Sequence, residues 1–241
     1  MSADLTSYVC ELGLDDHREY LLGIARPCVE ILTAKARVAK GCSKFGGKPD
    51  LPPEFEWPHH KAGPYRFIGQ VNLADVPKGP HGLPTDGLLS FFYVHAEEGE
   101  SFPDYVRVFR FDEPDTLRPV DPPVAVRLGG TVAVKFQLGA DVPDWPCGEA
   151  VKKWPVSYEQ HDAYWQLRRK LHPSDRYLMG YPHNNTLAFD PTPGPGWRSL
   201  LTLGSDDDLE WCWHDGDWLV TFIEETRLRA GDFSLIKSVA G

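Results

Sequence analysis

Three short blocks of this sequence recur in the same order at a nearly fixed separation, and that recurrence limits the fold more than anything else in the chain. Gly47–Pro49 (GKP), Tyr65–Asp75 (YRFIGQVNLAD) and Asp86–Tyr93 (DGLLSFFY) are echoed by Gly180–Pro182 (GYP), Trp197–Asp207 (WRSLLTLGSDD) and Gly216–Ile223 (GDWLVTFI), at offsets of 133, 132 and 130 residues. Short apolar runs match by chance in any β-rich chain, but they do not hold a constant spacing across three separate blocks. The pattern predicts a duplicated β-rich unit, with a first copy over residues 43–138 and a second over 178–241. Each copy holds a Gly-x-Pro turn, a loop with aromatic content, a strand, a polar loop and a second strand. Two such units packed about an approximate two-fold axis would bring their equivalent loops together near that axis.

The 22 glycines and 22 prolines in 241 residues demand many turns and few long helices. One helix is expected behind Asp15 or Asp16, with Tyr20, Leu21 and Ile24 at helical spacing and Pro27 as its stop, so that residues 1–27 form an N-terminal helical segment. A second is expected over 157–171, opened by a capping box at Ser157 and closed by Pro173. Its apolar stripe is Tyr164, Trp165, Leu167 and Leu171, with Arg168, Arg169 and Lys170 on the solvent side. Strands are expected over 28–38, 65–73, 88–95, 105–111 and 131–138, the last half-buried through Val132, Val134, Phe136 and Leu138. The expected class is α+β, predominantly antiparallel β, in a single domain over 1–241.

Charge and cysteine usage exclude several functions. The formal charge is −10 and the lysines and arginines are scattered singly, which argues against nucleic-acid binding. No apolar run approaches ~18 residues and the N-terminus lacks a basic start followed by an apolar core, so no membrane association is expected. Five cysteines without a Cys-x-x-Cys imply neither a disulfide framework nor a zinc knuckle, and reduced thiols fit the cytoplasm. Gly46-Gly47-Lys48 is followed by Pro49, where a phosphate loop needs Ser or Thr. The acidic turn Ser205–Glu210 fails the calcium-loop pattern, because Trp211 stands where glycine is needed and Asp217 where a bidentate Glu is needed. Asp206 and Asp207 with Asp215 would make a weak cation site at most. The histidines show no paired spacing, so a zinc site would have to assemble from distant loops. No cofactor and no metal are expected.

SKFGGKPDLP (Ser43–Pro52) with Trp57-Pro58, FIGQVNL (Phe67–Leu73), the LP..G.LSFF stretch (Leu83–Phe92), LMGYP (Leu178–Pro182), Trp197 with Leu200-Leu201, Ser205-Asp206-Asp207, Trp213-His214-Asp215 and GDFS (Gly231–Ser234) together resemble the YwqG-like family of bacterial proteins, a domain of unknown function. The resemblance spans Ser43 to Ser234. It implies one α+β body with internal duplication and a cytoplasmic location, and no established activity or cofactor. Gln70 keeps the family pattern. Thr202 stands where the family has glutamine and Gly204 where it has an acid, while His214 and Asp217 replace the two glycines of a W-G-D-x-G pattern.

The candidate binding residues follow from the two turns. Ser43, Lys44, Gln70 and Asn72 of the first copy, with His183 and Asn184 after the second Gly-x-Pro turn, form the one convergent polar set expected near the axis. Trp211 and Trp213, on one parity beside acids, together with His214 and Asp215, offer an aromatic and acidic surface for a basic segment. The expected function is a non-enzymatic binding or interaction protein, with a groove between the two copies for a protein or peptide partner, basic in character, as in an immunity-type role. The alternative is an enzyme on a small polar substrate using Ser43, Gln70, His183, His214 and Asp215. Ser43-Lys44 and Gly46, which the second copy does not repeat, have no architectural reading from sequence.

Overall fold

The computed structural model describes residues 2–95, 104–146, 152–184, 187 and 189–241. Ten strands form one nearly closed antiparallel sheet: β1 (Arg26–Ala34), β2 (Lys44–Gly46), β3 (Arg66–Asn72), β4 (Leu88–Tyr93), β5 (Val106–Phe111), β6 (Thr131–Asp141), β7 (Arg176–Met179), β8 (Trp197–Gly204), β9 (Trp218–Glu224) and β10 (Lys237–Ala240). Their spatial order is β10-β9-β8-β7-β1-β6-β2-β3-β4-β5. Counted from opposite ends, each strand of the first five occupies the place of the strand five labels later. The middle pair, β1 with β6, runs in register from Arg26↔Asp141 to Ala34↔Ala133. β1 then pairs with β7, and β6 with β2. β3 slips register between Phe67 and Gly69, and β8 does so between Ser199 and Leu201, the same point 132 residues later.

The N-terminal segment is two helices, α1 (Ser2–Glu11) and α2 (Arg18–Ile24), joined through a 3-10 turn at Asp15–His17. Leu5 and Val9, four residues apart, bury one face of α1. Pro27 is not the stop that the sequence suggests; it is the second residue of β1, near a strand end where a missing N–H is tolerated. Ser157 precedes a 3-10 turn and its side chain caps no backbone N–H, so the expected capping box does not form. The helix itself, α3, is His161–Leu171. These three helices bury Leu5, Val9, Leu14, Leu21, Tyr164, Leu167 and Leu171 against Ala140, Val142 and Val156 on one side of the sheet. A short α4 (Glu225–Ala230) follows β9. Among the described residues, no helix is long and apolar enough to cross a membrane.

The main core is the concave face of the sheet. Trp213 is fully buried and Trp211 is 3% exposed, so the indoles expected to stand out beside the acids point the other way. The acidic turn folds as a 3-10 segment (Asp207–Leu209) with Asp206 capping Leu209 and bridging to Trp211, which keeps the carboxylates at the rim and aims both rings inward. Trp211 meets Phe45 edge-on at 5.1 Å and Trp213 meets Tyr93 at 5.0 Å. The proline-rich arm after Pro49 carries Phe55 and Trp57 onto a second, smaller cluster with Phe92, Phe109 and Phe111. Trp57 donates its indole N–H to Tyr65 O at 2.8 Å.

Gly46 and Gly47 are both left-handed, with φ of +64° and +66°, and so are Met179 and Gly180, at +64° and +76°. Gly46 therefore has a counterpart in conformation that sequence identity hides. A methionine is tolerated at 179 at a cost of ~1–2 kcal/mol. At Gly46 a Cβ would fall 2.0 Å from the backbone oxygen of Gly130, which cannot rotate away. Gly46→Ala is expected to destabilise the protein by about 2–4 kcal/mol in urea unfolding; a change below ~0.5 kcal/mol would show that the turn relaxes freely.

Candidate functional site

The first-copy residues singled out by sequence do come together, around a carboxylate that was not among them. Asp50 is fully buried, and its Oδ2 accepts from Lys44 Nζ at 2.9 Å, Gln70 Nε2 at 2.7 Å and the backbone N–H of Gly41 at 3.0 Å. Gln70 also donates to Cys42 O, and its Oε1 accepts from the Asp50 backbone N–H. Ser43 Oγ donates to Asp75 and accepts from Asn72 N–H, while Asn72 Nδ2 donates to Gly41 O. These bonds tie the named side chains to the loop, while Asp50 Oδ1 is buried and has no hydrogen-bond partner among the described residues.

His183 and Asn184 lie elsewhere. Thr131, at one end of β6, packs on Gly47, whereas Asp141, at the other end, packs on Gly180. Ten residues of strand at ~3.3 Å each separate the two turns by roughly 30 Å, so the equivalent loops do not converge. His214 is exposed in a left-handed conformation 3.8 Å from Asp217, and Asp215 is exposed. Asn185 lies outside the described residues.

Around Asp141 sits a buried ionic cluster whose cations come from α3. Arg168 Nη1 reaches Asp144 at 3.0 Å and Nη2 lies 3.9 Å from Asp141. His172, the residue capping α3, contacts Glu30 of β1 through Nδ1 and places Nε2 2.7 Å from Asp141 Oδ1. Arg168, placed on the solvent side by sequence, is only 4% exposed. Its position could have been read correctly: it stands four residues after Tyr164 and three before Leu171, on the apolar stripe itself. Burial pushes the His172 pKa down, but Asp141 and then Glu30 outweigh it and carry it up to about 9. Burial raises Asp141, and His172 followed by Arg168 reverse this to hold the carboxyl below its ordinary value. Burial, then Asp141 and Glu30, drive the Cys28 thiol far up.

Two members of this cluster, Arg168 and His172, line a pocket of about 230 Å³ together with Trp165, Tyr177, His183 and Trp218, among others. Its walls are stacked rings, with His183 on Trp218 at 4.2 Å and His172 on Tyr177 at 4.0 Å. Asn184 supports the rim, its N–H bonded to Asp144 at 2.9 Å. Of the sequence candidates, His183 alone borders this pocket.

A larger cleft, of about 650 Å³, lies where the sheet fails to close, between β5 and the segment Gly231–Ile236. Val94 N–H donates to Tyr105 O, and β4 and β5 continue in register from there. Antiparallel pairs alternate, so Arg107, Phe109 and Phe111 exchange hydrogen bonds with β4 while Val106, Val108 and Arg110 direct their N–H and C=O groups outward. Among the described residues no backbone partner meets those groups, although Val106 and Val108 are themselves only 2% and 6% exposed and Arg110 is half-buried. Arg110 spans the gap at one point, with Nη1 3.4 Å from Gly231 O and Nη2 3.0 Å from Asp86. Leu235, 42% exposed, and Phe233 supply apolar surface opposite.

A family model described as Domain of unknown function (DUF1963) matches residues 43–238. The chain belongs to this family. The matched stretch begins at the Ser43 turn and reaches into β10, so it takes in both turns, the cleft and most of the buried cluster, while α1, α2 and β1 lie before it. No curated relative matches the chain.

Proposed function

We propose that this protein is a non-enzymatic binding protein that receives an extended, basic peptide segment of a partner along the free edge of β5, in the groove between two duplicated units. The observation that carries this reading is the row of outward-facing backbone groups at Val106, Val108 and Arg110 along a cleft of about 650 Å³. An added strand meets such an edge with main-chain hydrogen bonds, and alternate side chains find pockets for specificity. Three features support the duplication: the strand order that reads alike from both ends, the register slips 132 residues apart, and the left-handed pairs 133 residues apart. On that reading β5 and β10 are equivalent edges and the cleft is the seam between the units. The net charge of −10 favours a basic partner through long-range attraction, and neutralising a basic toxin segment is one role of this kind. The YwqG-like resemblance is the finer form of the family membership, and unpaired Cys10, Cys28, Cys42 and Cys212 support a cytoplasmic setting.

Val108→Pro tests the proposal. It removes one outward N–H, while the hydrogen bonds to β4 are made by its neighbours, so the strand is expected to persist at its edge position with a stability loss of about 1–3 kcal/mol, part of it from the buried Val108 side chain. Against a displayed random peptide library, the wild type is expected to enrich segments with alternating apolar residues and basic flanks. Val108→Pro should weaken their binding about tenfold or more. Undiminished binding by the folded variant would remove the edge as the site.

A further inference from the structure

The structure assigns a transition-metal site to Cys28, Glu30 and His172. Sulfur, carboxylate oxygen and imidazole nitrogen of these three buried residues all lie within 4.8 Å of one another. Bonds of ~2.0–2.3 Å to a tetrahedral ion hold such atoms about 3.5 Å apart, so binding needs movements of about 1 Å, with His172 Nδ1 and Glu30 Oε1, now in direct contact, moving apart. The three come from distant points in the sequence for a simple reason. Cys28 and Glu30 are two apart on β1 and share one face of the sheet, and the end of α3 sets His172 over that face, with its backbone N–H bonded to Arg168 O at 2.9 Å.

The surroundings are those of a metal site. Asp141 Oδ1 stands 2.7 Å from Nε2, on the side of the ring away from Glu30, at an angle that a small ring rotation would turn into a hydrogen bond. A ligating histidine commonly directs its second nitrogen at such a carboxylate, which fixes the tautomer and the ring. Asp141 is in turn held by the Tyr181 N–H, and Ser174 Oγ donates to Glu30 Oε2 at 3.0 Å. Glu30, Asp141 and Asp144 bring three buried carboxylates, and among the described residues Arg168 is the guanidinium that faces them. A divalent ion takes the place of the imidazolium and thiol protons, which leaves the net charge of the cluster unchanged. One thiolate, one imidazole and one carboxylate suit zinc or cobalt rather than magnesium or calcium. Of the three ligands His172 borders the pocket of about 230 Å³, while Cys28 and Glu30 do not line it.

The test uses the full chain, stripped with chelator and titrated with Co²⁺ and then Zn²⁺. The expected result is a near-ultraviolet thiolate-to-cobalt band with tetrahedral visible absorption, both bleached by Zn²⁺. The melting temperature should rise by roughly 5–10 °C at a hundredfold excess over Kd. Cys28→Ser should abolish the near-ultraviolet band, Cys42→Ser should leave it intact, and Asp141→Asn should weaken Zn²⁺ binding about 10–100-fold while keeping the band. Absence of any band and of any thermal shift in the wild type overturns the assignment, and this readout does not depend on a variant folding. A band that survives in Cys28→Ser overturns it equally.

Discussion

Arg168→Ala is expected to destabilise the protein by about 3–5 kcal/mol and to lower its melting temperature by on the order of 10 °C. The guanidinium is buried between Asp144 and Asp141, themselves almost without solvent contact. Truncation removes the guanidinium from both carboxylates; Asp141 keeps His172 and the Tyr181 N–H, so Asp144, left with backbone N–H donors, is the charge most stranded. The cost is that of stranding charge, larger than the net worth of the pair when it is intact. Adding Asp144→Asn to Arg168→Ala should therefore restore part of the loss, because it removes one stranded charge. Chemical denaturation of the two variants checks this. A single variant within ~1 kcal/mol of wild type would mean that the cluster is hydrated and its ion pairs carry little.

Asp50→Ala should cost a similar amount, about 3–5 kcal/mol, for a related reason. Its Oδ2 gathers Lys44, Gln70 and the Gly41 N–H, and alanine leaves the Lys44 ammonium, 4% exposed, with no counter-charge. Lys44→Met in the Asp50→Ala background should recover part of the stability by removing the unpaired charge. The experiment also decides what the Ser43, Lys44, Gln70 and Asn72 set is for. If it closes the turn, unfolding measurements register the loss, while peptide binding at β5 in the folded fraction stays at its wild-type level. A variant that keeps its stability and loses binding would return this set to the role of a binding surface.

These two clusters show how far the residues speak for themselves. The polar set of the first turn was legible as a group because its members sit near the Gly-x-Pro signal, yet Asp50, the residue that organises them, looked like part of a proline-rich connector. The second cluster was not legible as a group. Glu30 lies in an alternating strand, Asp141 at a strand end, Asp144 in a loop, and Arg168 and His172 at the end of a helix. Nothing in their spacing announces that one strand pair and one helix cap bring them within ion-pair distance. Arg168 did carry a signal, its place on the apolar stripe, but a run of three basic residues outweighed it. The acidic neighbours of Trp211 and Trp213 suggest exposed indoles, but a 3-10 turn sends ring and carboxylate in opposite directions.

By itself the sequence determined the β-rich antiparallel class, the positions of β3, β4, β5, β8 and β9, the helix before Pro173, and the two turns held by left-handed glycines. These follow from local rules: strand alternation, the fixed φ of proline, and the steric freedom of glycine. The tertiary structure alone decided that β1 and β6 meet at the centre of the sheet, that the two turns stand at opposite ends of β6, that a free edge is left at β5, and that a carboxylate, a thiol and an imidazole share one buried point. The physical reason is that hydrogen-bond pairing between strands is non-local. A ladder accepts any partner of the right length and pattern, and only the closure of the whole sheet over its core selects which strands are neighbours and which edge is left open.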